Sequence, residues 1–454
     1  MGEAQDRIRT LERTLADWRR ERDEACLRQE LALIFHGASL RGAAECLEVG
    51  FGDQAPSKST IAEHLKEACA AARELFEEYF EGFGRAAACD EVYLSGHPCL
   101  EVVEPRSLAI TGILPDTEPT ERAWTDLLNT FPGLECGVSD QGLGVSKALA
   151  KAVARFGLDT WHLLRPFSEE TGRLEARAYE RIGEEDRRRE AFVEALASFA
   201  PGRSVPPEMD RLQEAVEKAE KCIRRYDDAS LILGWLYEAT EPVDAQGRIK
   251  APERMRGDWE AALDLIDHVD AEGLYSIEKK LRGKIDGAPV RGLAERIGAL
   301  PMPKGWAEAS REAMQGLTCR SWLHHHRRET HILEAPKEAA VWVAGEMGSP
   351  FAAEHWVAYC ASAFELLDLA PRASSAVECV NSVIRLRQGS KRHPSPDFVY
   401  LLAWLHNTRA FDEGRRKGLT PAEILGVRLT ANGLAMLVER MAARKASANP
   451  GIAA

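Results

Sequence analysis

The chain has 454 residues, with 59 Lys or Arg against 72 Asp or Glu, and its formal net charge at pH 7 is −13. This acidic balance excludes nucleic acid as a partner of the whole surface and confines any such contact to local basic stretches. No apolar run approaches the roughly 18 residues of a membrane helix, and the charged N-terminus lacks the apolar segment of a secretory signal. The ten cysteines form no CxxC pair, which favours reduced thiols in a cytoplasm and gives no sign of a zinc site.

The first predicted element is a charged helix over residues 5–28. Its apolar residues at coiled-coil a and d spacing are Ile8, Leu11, Leu15 and Trp18. Arg22 interrupts the spacing after two heptads. The pattern therefore leaves two interpretations open, a solvated helix packed on its own domain or a zipper between two copies.

The next region has the layout of a helix-turn-helix. The predicted helices are Leu27–His36, Leu40–Val49 with Ser39 as its cap, and a third that begins at Ser57 or Ser59 and ends near Phe83. The last helix of such a motif enters the major groove of DNA. The residues that would then face DNA are Lys58, Ser59, Thr60, His64 and Lys66. An ordinary helical bundle is the alternative interpretation.

Short β-branched segments follow, and they predict an antiparallel meander of three strands. The segments are Ala86–Leu94, Cys99–Val103 and Ser107–Ile113, separated by Gly96-His97-Pro98 and Glu104-Pro105-Arg106. Asp90 lies inside the first strand. A carboxylate there is costly to bury without a partner or a metal.

A second carboxylate, Asp140, ends the short strand predicted at residues 137–140. A helix at Thr120–Thr130 precedes this strand and a helix at Val145–Phe156 follows it; a further strand at Leu158–Leu163 carries Trp161 and His162. The carboxyl end of a strand beside a helix start is where α/β folds place their sites.

From about residue 166 to residue 370 the pattern is helical almost throughout. His324-His325-His326 lies here beside two arginines. Three consecutive helical residues point about 100° apart and cannot all bind one ion, so this segment predicts a basic surface.

The segment Val377–Arg385 predicts a helix with one face against the core and a neighbouring face towards a polar site. Glu378, Asn381 and Arg385 share one face, while Val377, Val380 and Ile384 form a neighbouring apolar stripe. Basic residues cluster at its end and just beyond: Arg385, Arg387, Lys391, Arg392 and His393.

Asp90, Asp140 and Glu378 form the candidate metal triad, from a strand, a strand end and a helix. Mg²⁺ prefers oxygen ligands and binds through a few carboxylates plus substrate phosphates. Two such ions can assist an in-line displacement at phosphorus. Spacing alone is a weak signal, because an acidic chain offers many such triples.

Resemblance to a known family supports the assignment of these three residues as a metal triad. The matching segments, in family order, are Cys89–Tyr93, Val138–Gly144, Asp159–Arg165 and Glu378–Ser382. Together they resemble a bacterial insertion-sequence transposase of the DDE type, whose catalytic domain has the RNase H-like fold. The tail segments Trp404–Phe411 and Gly418–Gly426 also resemble the ends of many bacterial transposases.

The resemblance implies an α/β catalytic core with a mixed sheet, interrupted by a large all-α insertion and preceded by helices. Length predicts about three domains. The implied division is a DNA-binding helical region at 1–84, the first part of the core at 85–165, the insertion at 166–370, and the return of the core with C-terminal helices at 371–454.

The resemblance also implies roles for single residues. Asp90, Asp140 and Glu378 match the catalytic carboxylates, with Glu91 and Asp159 as the nearest competitors. His162 matches a histidine that acts at the scissile DNA in some groups, although Asp159 stands where those groups have cysteine. Asn381 and Arg385 match residues that would contact phosphate or orient ligands, and Lys147 is either a phosphate contact or part of a solvated face.

The implied function is transposition. The protein would bind transposon-end DNA, hydrolyse phosphodiester bonds with two Mg²⁺ ions (Mn²⁺ substituting), and transfer strands. Its expected partners are double-stranded DNA and further copies of itself as a dimer or larger assembly, with no membrane, in the bacterial cytoplasm at the nucleoid. The alternatives are a transposase-derived DNA-binding protein without cleavage activity, motivated by the acidic balance, and a helical scaffold without a nucleic-acid role.

Overall fold

The computed structural model describes residues 2–94, 96–140, 142–197, 207–348, 353–370, 375–388 and 395–448. These residues form a mixed α/β structure with a mixed five-stranded sheet and many helices. It forms two compact units. The first comprises Met1–Ala154, Arg328–Ala335 and Ser374–Ala454, and the second Arg155–Arg327 and Pro336–Ala373.

The secondary structure alternates between helix-rich and strand-rich stretches. The helices are α1 (Gly2–Phe35), α2 (Leu40–Phe51), α3 (Lys58–Tyr79), α4 (Glu121–Leu128), α5 (Leu143–Ala152), α6 (Thr160–Ala197), α7 (Pro207–Ala239), α8 (Pro252–Asp264), α9 (Glu272–Leu281), α10 (Leu293–Gly298), α11 (Arg311–Arg327), α12 (Ala335–Glu346), α13 (Glu354–Asp368), α14 (Ser375–Gln388), α15 (Phe398–Asn407), α16 (Pro421–Leu425) and α17 (Gly433–Ala448). The strands are β1 (Ala86–Leu94), β2 (His97–Glu104), β3 (Ala109–Pro115), β4 (Cys136–Ser139) and β5 (Arg155–Leu158). Across the described ranges, no helix is both long enough and apolar enough to cross a bilayer.

The sheet has the strand order β3-β2-β1-β4-β5. β1 runs antiparallel to β2, and β2 antiparallel to β3, so the predicted meander is confirmed. β4 lies on the other side of β1 and runs parallel to it. The central strand β1 therefore has one neighbour of each orientation.

One face of the sheet forms the core of the first unit. Because side chains alternate along a strand, Ala88 and Val92 of β1 lie on the same face as their β2 partners Val103 and Cys99. This face packs in one buried cluster with residues of α3, α14, α15 and α17. The fully buried indole of Trp404 contacts the ring of Phe80 there, with 5.7 Å between ring centroids.

The N-terminal helices depart from prediction near residue 28. Two helices were expected, one over residues 5–28 and one over Leu27–His36, and this division is wrong, because α1 is a single helix from Gly2 to Phe35. Gly37, with φ 92°, follows its end as expected. No glycine, proline or capping residue stands at the predicted break to stop it. The predicted caps are confirmed: Ser39 Oγ accepts a hydrogen bond from Gly42 N at 3.0 Å, and Ser57 Oγ from Thr60 N at 3.2 Å.

The predicted strand at Leu158–Leu163 is also wrong beyond its first residue. β5 ends at Leu158, and α6 begins at Thr160. Asp159 explains the switch, because its Oδ1 accepts a hydrogen bond from His162 N at 2.9 Å, as a capping carboxylate does at a helix start. The apolar pattern of this segment is the buried side of a helix, with Leu163 and Leu164 in the core of the second unit.

The second unit is mainly helical and holds its own core around Phe167, Trp259 and Leu263. The histidine triplet lies on α11, and its three rings point in different directions as predicted. The predicted basic surface is wrong for His325, which is buried with Nδ1 3.5 Å from Glu338 Oε2. His326 stacks on Trp322.

Candidate functional site

Asp90 lies near the middle of the core-facing row of β1 and is half-buried. Its Oδ1 accepts a hydrogen bond from Glu91 N at 2.9 Å. Its Oδ2 accepts one from Asn381 Nδ2 at 3.1 Å, which joins two segments 291 residues apart in sequence. The central strand and the late helix therefore meet at this carboxylate.

α14 is held against β1 and β2 by its apolar stripe. Val377, Val380 and Ile384 are each at most 1 % exposed, so the predicted core face is confirmed. Asn381 lies at the edge of this stripe and is also 1 % exposed. Glu378 lies one turn earlier on the same side, where its side chain is exposed.

Asp140 follows β4 directly and begins the turn into α5. Its Oδ1 accepts a hydrogen bond from Gly142 N at 2.8 Å. Gly144 in the first turn of α5 cannot carry a side chain, since a Cβ there would lie 2.5 Å from the carbonyl oxygen of Pro119. This close approach fixes the helix start and, with it, the position of Asp140.

Asp140 lies close to Asp90 in the register of the strands, and its charge acts on Glu91. Cys89 pairs with Ser139, so Asp90 and Asp140 each follow the last paired positions of two parallel strands. Burial raises the pKa of Glu91, and the charge of Asp140 raises it further. Glu91, the alternative candidate for a catalytic carboxylate, therefore lies within the electrostatic influence of Asp140.

Glu101 is an acidic residue that the sequence reasoning missed. It lies on β2 directly opposite Asp90 and is 1 % exposed. Both carboxylate oxygens are buried without a hydrogen-bond partner in the described structure. Burial, and then the charge of Asp90, raise the pKa of Glu101 to about 8, although the charge of Arg385 opposes the shift. The sequence feature that could have identified Glu101 is its position between Leu100 and Val102 in an otherwise apolar strand.

The described residues contain no group of three or more His, Cys, Asp or Glu side chains that could hold a metal ion. Asp90, Asp140 and Glu378 are thus not gathered into a ligand set here. Each aspartate instead accepts hydrogen bonds from nearby amides. Carboxylates without a cation repel one another, which favours such separate partners.

His162 and Asp159 belong to the second unit and contact each other. His162 Nδ1 lies 3.2 Å from Asp159 Oδ2, and the Asp159 side chain is 1 % exposed. Asp159 also caps α6, as described above. Asp159 therefore both contacts the histidine and caps the start of its helix.

The residues predicted to contact DNA differ in their exposure. Lys58, Ser59 and Thr60 are exposed in the first turn of α3, and Lys66 is exposed farther along it. His64 instead lies against α1, with its Nδ1 3.0 Å from the buried Glu30 Oε2. Arg385 is exposed on α14. The Arg387 side chain, Lys391 and Arg392 lie outside the described residues.

Comparison with known proteins leaves the family open. No protein-family model matches the chain, and no curated protein is significantly similar to it.

Proposed function

We propose that this protein is a transposase of the DDE type, with an RNase H-like catalytic core interrupted by a helical insertion. The observation that carries the proposal is the meeting of three distant motifs on one sheet. Asp90 and Asp140 follow paired positions of adjacent parallel strands, and Asn381 of the Glu378 helix bonds to Asp90. An antiparallel meander followed by a parallel strand beside β1 also suits this fold.

The donor set fits Mg²⁺, with Mn²⁺ as a substitute. Asp90, Asp140 and Glu378 offer the oxygen ligands that these cations prefer, and two ions would assist hydrolysis and strand transfer at phosphorus. The chain's own residues supply position and charge. Asn381 holds one oxygen of Asp90 in place, and the exposed Arg385 is suited to a DNA phosphate.

The exposed start of α3 is the proposed DNA contact, which would associate the protein with the bacterial nucleoid. Lys58→Ala is expected to weaken binding to double-stranded DNA several-fold and to reduce the slope of log affinity against log salt by about 1, because one phosphate contact is lost. Lys304→Ala, which removes an exposed lysine of the second unit, is the control. Equal affinities and slopes for the two variants would remove α3 from the interface.

Joining two DNA ends requires two copies of the protein, and α1 offers a surface for pairing. Leu11, Leu15 and Trp18 are 62 %, 52 % and 68 % exposed on one stripe of this helix. Glu12 and Arg19 are exposed one heptad apart on the same flank of that stripe. In an antiparallel pair of helices, each Glu12 can therefore meet Arg19 of the partner subunit.

Leu15→Glu is expected to weaken self-association at least about tenfold, because it buries an unpaired charge between the helices. Light scattering coupled to size-exclusion chromatography measures the change in mass across a dilution series. Arg13→Glu, on the outward side of the same helix, should retain the mass of the unchanged protein. A chain that is monomeric without substitution at every concentration contradicts the pairing.

Strand cleavage tests the function directly. DNA that the protein selects from genomic fragments is labelled and incubated with the protein in Mg²⁺ or Mn²⁺, and cut and joined products are resolved. A DNA-binding protein without cleavage activity would protect the same DNA fully in EDTA and never nick it. A scaffold would bind no DNA even at low salt, where phosphate contacts are strongest.

A further inference from the structure

Glu101 is a buried acidic residue of β2 in the first unit. Its side chain is 1 % exposed, yet neither oxygen has a hydrogen-bond partner in the described structure. Burying a carboxyl group without partners is unfavourable, because the group loses its hydrogen bonds to water and gains none in return. Such groups call for an explanation, and the binding of an ion is among the usual ones.

The surroundings of Glu101 are rich in oxygen ligands. Asp90 is its direct cross-strand partner, and directly opposed residues of antiparallel strands have Cβ atoms about 4.5–5.5 Å apart on the same face. Asn381 approaches the same carboxylate from α14, and its Oδ1 is also buried without a partner. Glu101 and Asn381 are thus both neighbours of Asp90, and each has oxygen acceptors that are unused.

The positive charge of Arg385 lies near the cluster but does not occupy the oxygens of Glu101. The charge of Arg385 acts on Glu101, but its guanidinium forms no hydrogen bond to either Glu101 oxygen. The rest of this face is apolar, with Ala88 and Val92 beside Asp90 in the core row of β1. Asp90 itself is half-buried, so it connects the cluster to solvent.

We propose that Glu101, Asp90 and Asn381 Oδ1 form a binding site for a divalent cation between β1, β2 and α14. Two carboxylates and one amide oxygen, completed by water, are a ligand set that Mg²⁺ and Mn²⁺ accept. The site deepens the proposed function by adding a ligand from β2 to the same centre. Its test measures ion binding in the absence of DNA, so this site and the transposase activity can fail separately.

Manganese alone is the probe, added to the metal-free full-length protein and followed by the paramagnetic resonance of free Mn²⁺. The unchanged protein is expected to bind Mn²⁺, and Glu101→Gln to reduce the affinity at least about tenfold. Asn381→Ser should reduce it several-fold. The matched control is Glu104→Gln on the same strand, because Glu104 is also buried but its oxygens already accept hydrogen bonds from Arg106 and Ser107.

Thermal unfolding supplies a second readout and verifies that each variant folds. In EDTA the Glu101→Gln variant should unfold at the same temperature as the unchanged protein or higher, since it removes an unpaired carboxyl group. Added Mn²⁺ should raise the unfolding temperature of the unchanged protein more than that of the variant. No Mn²⁺ binding by the unchanged protein, or an affinity of Glu101→Gln within twofold of it, overturns the site. If the unchanged protein binds Mn²⁺ as expected but does not cleave DNA, the result contradicts the proposed transposase activity and not this site.

Discussion

Asp140→Asn is expected to reduce metal-dependent cutting and joining of DNA by about 10³-fold or more, while binding of the same DNA is retained. The substitution removes the charge that a metal ligand needs. It should preserve the local fold, because the asparagine oxygen can still accept the hydrogen bond that Asp140 Oδ1 accepts from Gly142 N. The two effects can be separated by measuring strand cleavage and DNA affinity on one preparation.

The matched control is Asp126→Asn on α4, an exposed aspartate of the same unit. It changes the net charge equally but lies outside the proposed centre, so cleavage should match the unchanged protein. Cleavage by Asp140→Asn at the rate of the unchanged protein would contradict the carboxylate assignment. Equal loss in both variants would point to a general effect of charge on DNA handling.

The sequence predicted the elements with strong local signals. The meander followed from β-branched runs and tight turns, and the caps Ser39, Ser57 and Thr120 from hydroxyl residues before helical periods. These signals involve only a few neighbouring residues, so the elements can be predicted without knowledge of the tertiary fold. Asp90 and Asp140 are recognisable in the sequence because a carboxylate in or directly after an apolar strand conflicts with its surroundings.

What the sequence did not predict depends on contacts between distant segments. Glu101 became notable only once the register placed it opposite Asp90 under α14. His162 was assigned to a strand because the Leu158–Leu163 pattern is apolar, and the capping bond to Asp159 that starts α6 cannot be seen in composition. The contact between His64 and Glu30 likewise depends on how α3 packs against α1.

The C-terminal segment Trp404–Phe411 has a structural role in this chain. Trp404 Nε1 donates a hydrogen bond to Gly433 O at 2.8 Å, and His406 Nε2 lies 2.9 Å from Leu108 O. Asn407 contacts β3, which is an edge strand of the sheet. The motif therefore ties the C-terminal helices to the sheet edge and covers backbone groups that would otherwise be exposed.

Asn407→Leu is expected to lower the free energy of unfolding of the first unit by about 3–5 kcal/mol, because two buried backbone groups lose their partners. Asn407 is fully buried, its Nδ2 donates to Ile110 O at 2.7 Å, and its Oδ1 accepts from Ile110 N at 2.9 Å. The amide thus replaces a neighbouring strand for one residue of β3, and leucine offers neither group. Urea denaturation measures the change, and hydrogen exchange of β3 localises it.

Asn407→Asp separates this pairing from simple packing. The carboxylate keeps an acceptor for Ile110 N but directs a second acceptor at Ile110 O, so it should also destabilise the unit although its volume is almost unchanged. Asn129→Leu, at an exposed position after α4, is the control and should leave stability within about 0.5 kcal/mol. If Asn407→Leu leaves both the unfolding midpoint and the exchange of β3 unchanged, the amide does not protect the sheet edge. A large loss in Asn407→Leu with none in Asn407→Asp would mean that a single hydrogen bond to Ile110 N holds the tail.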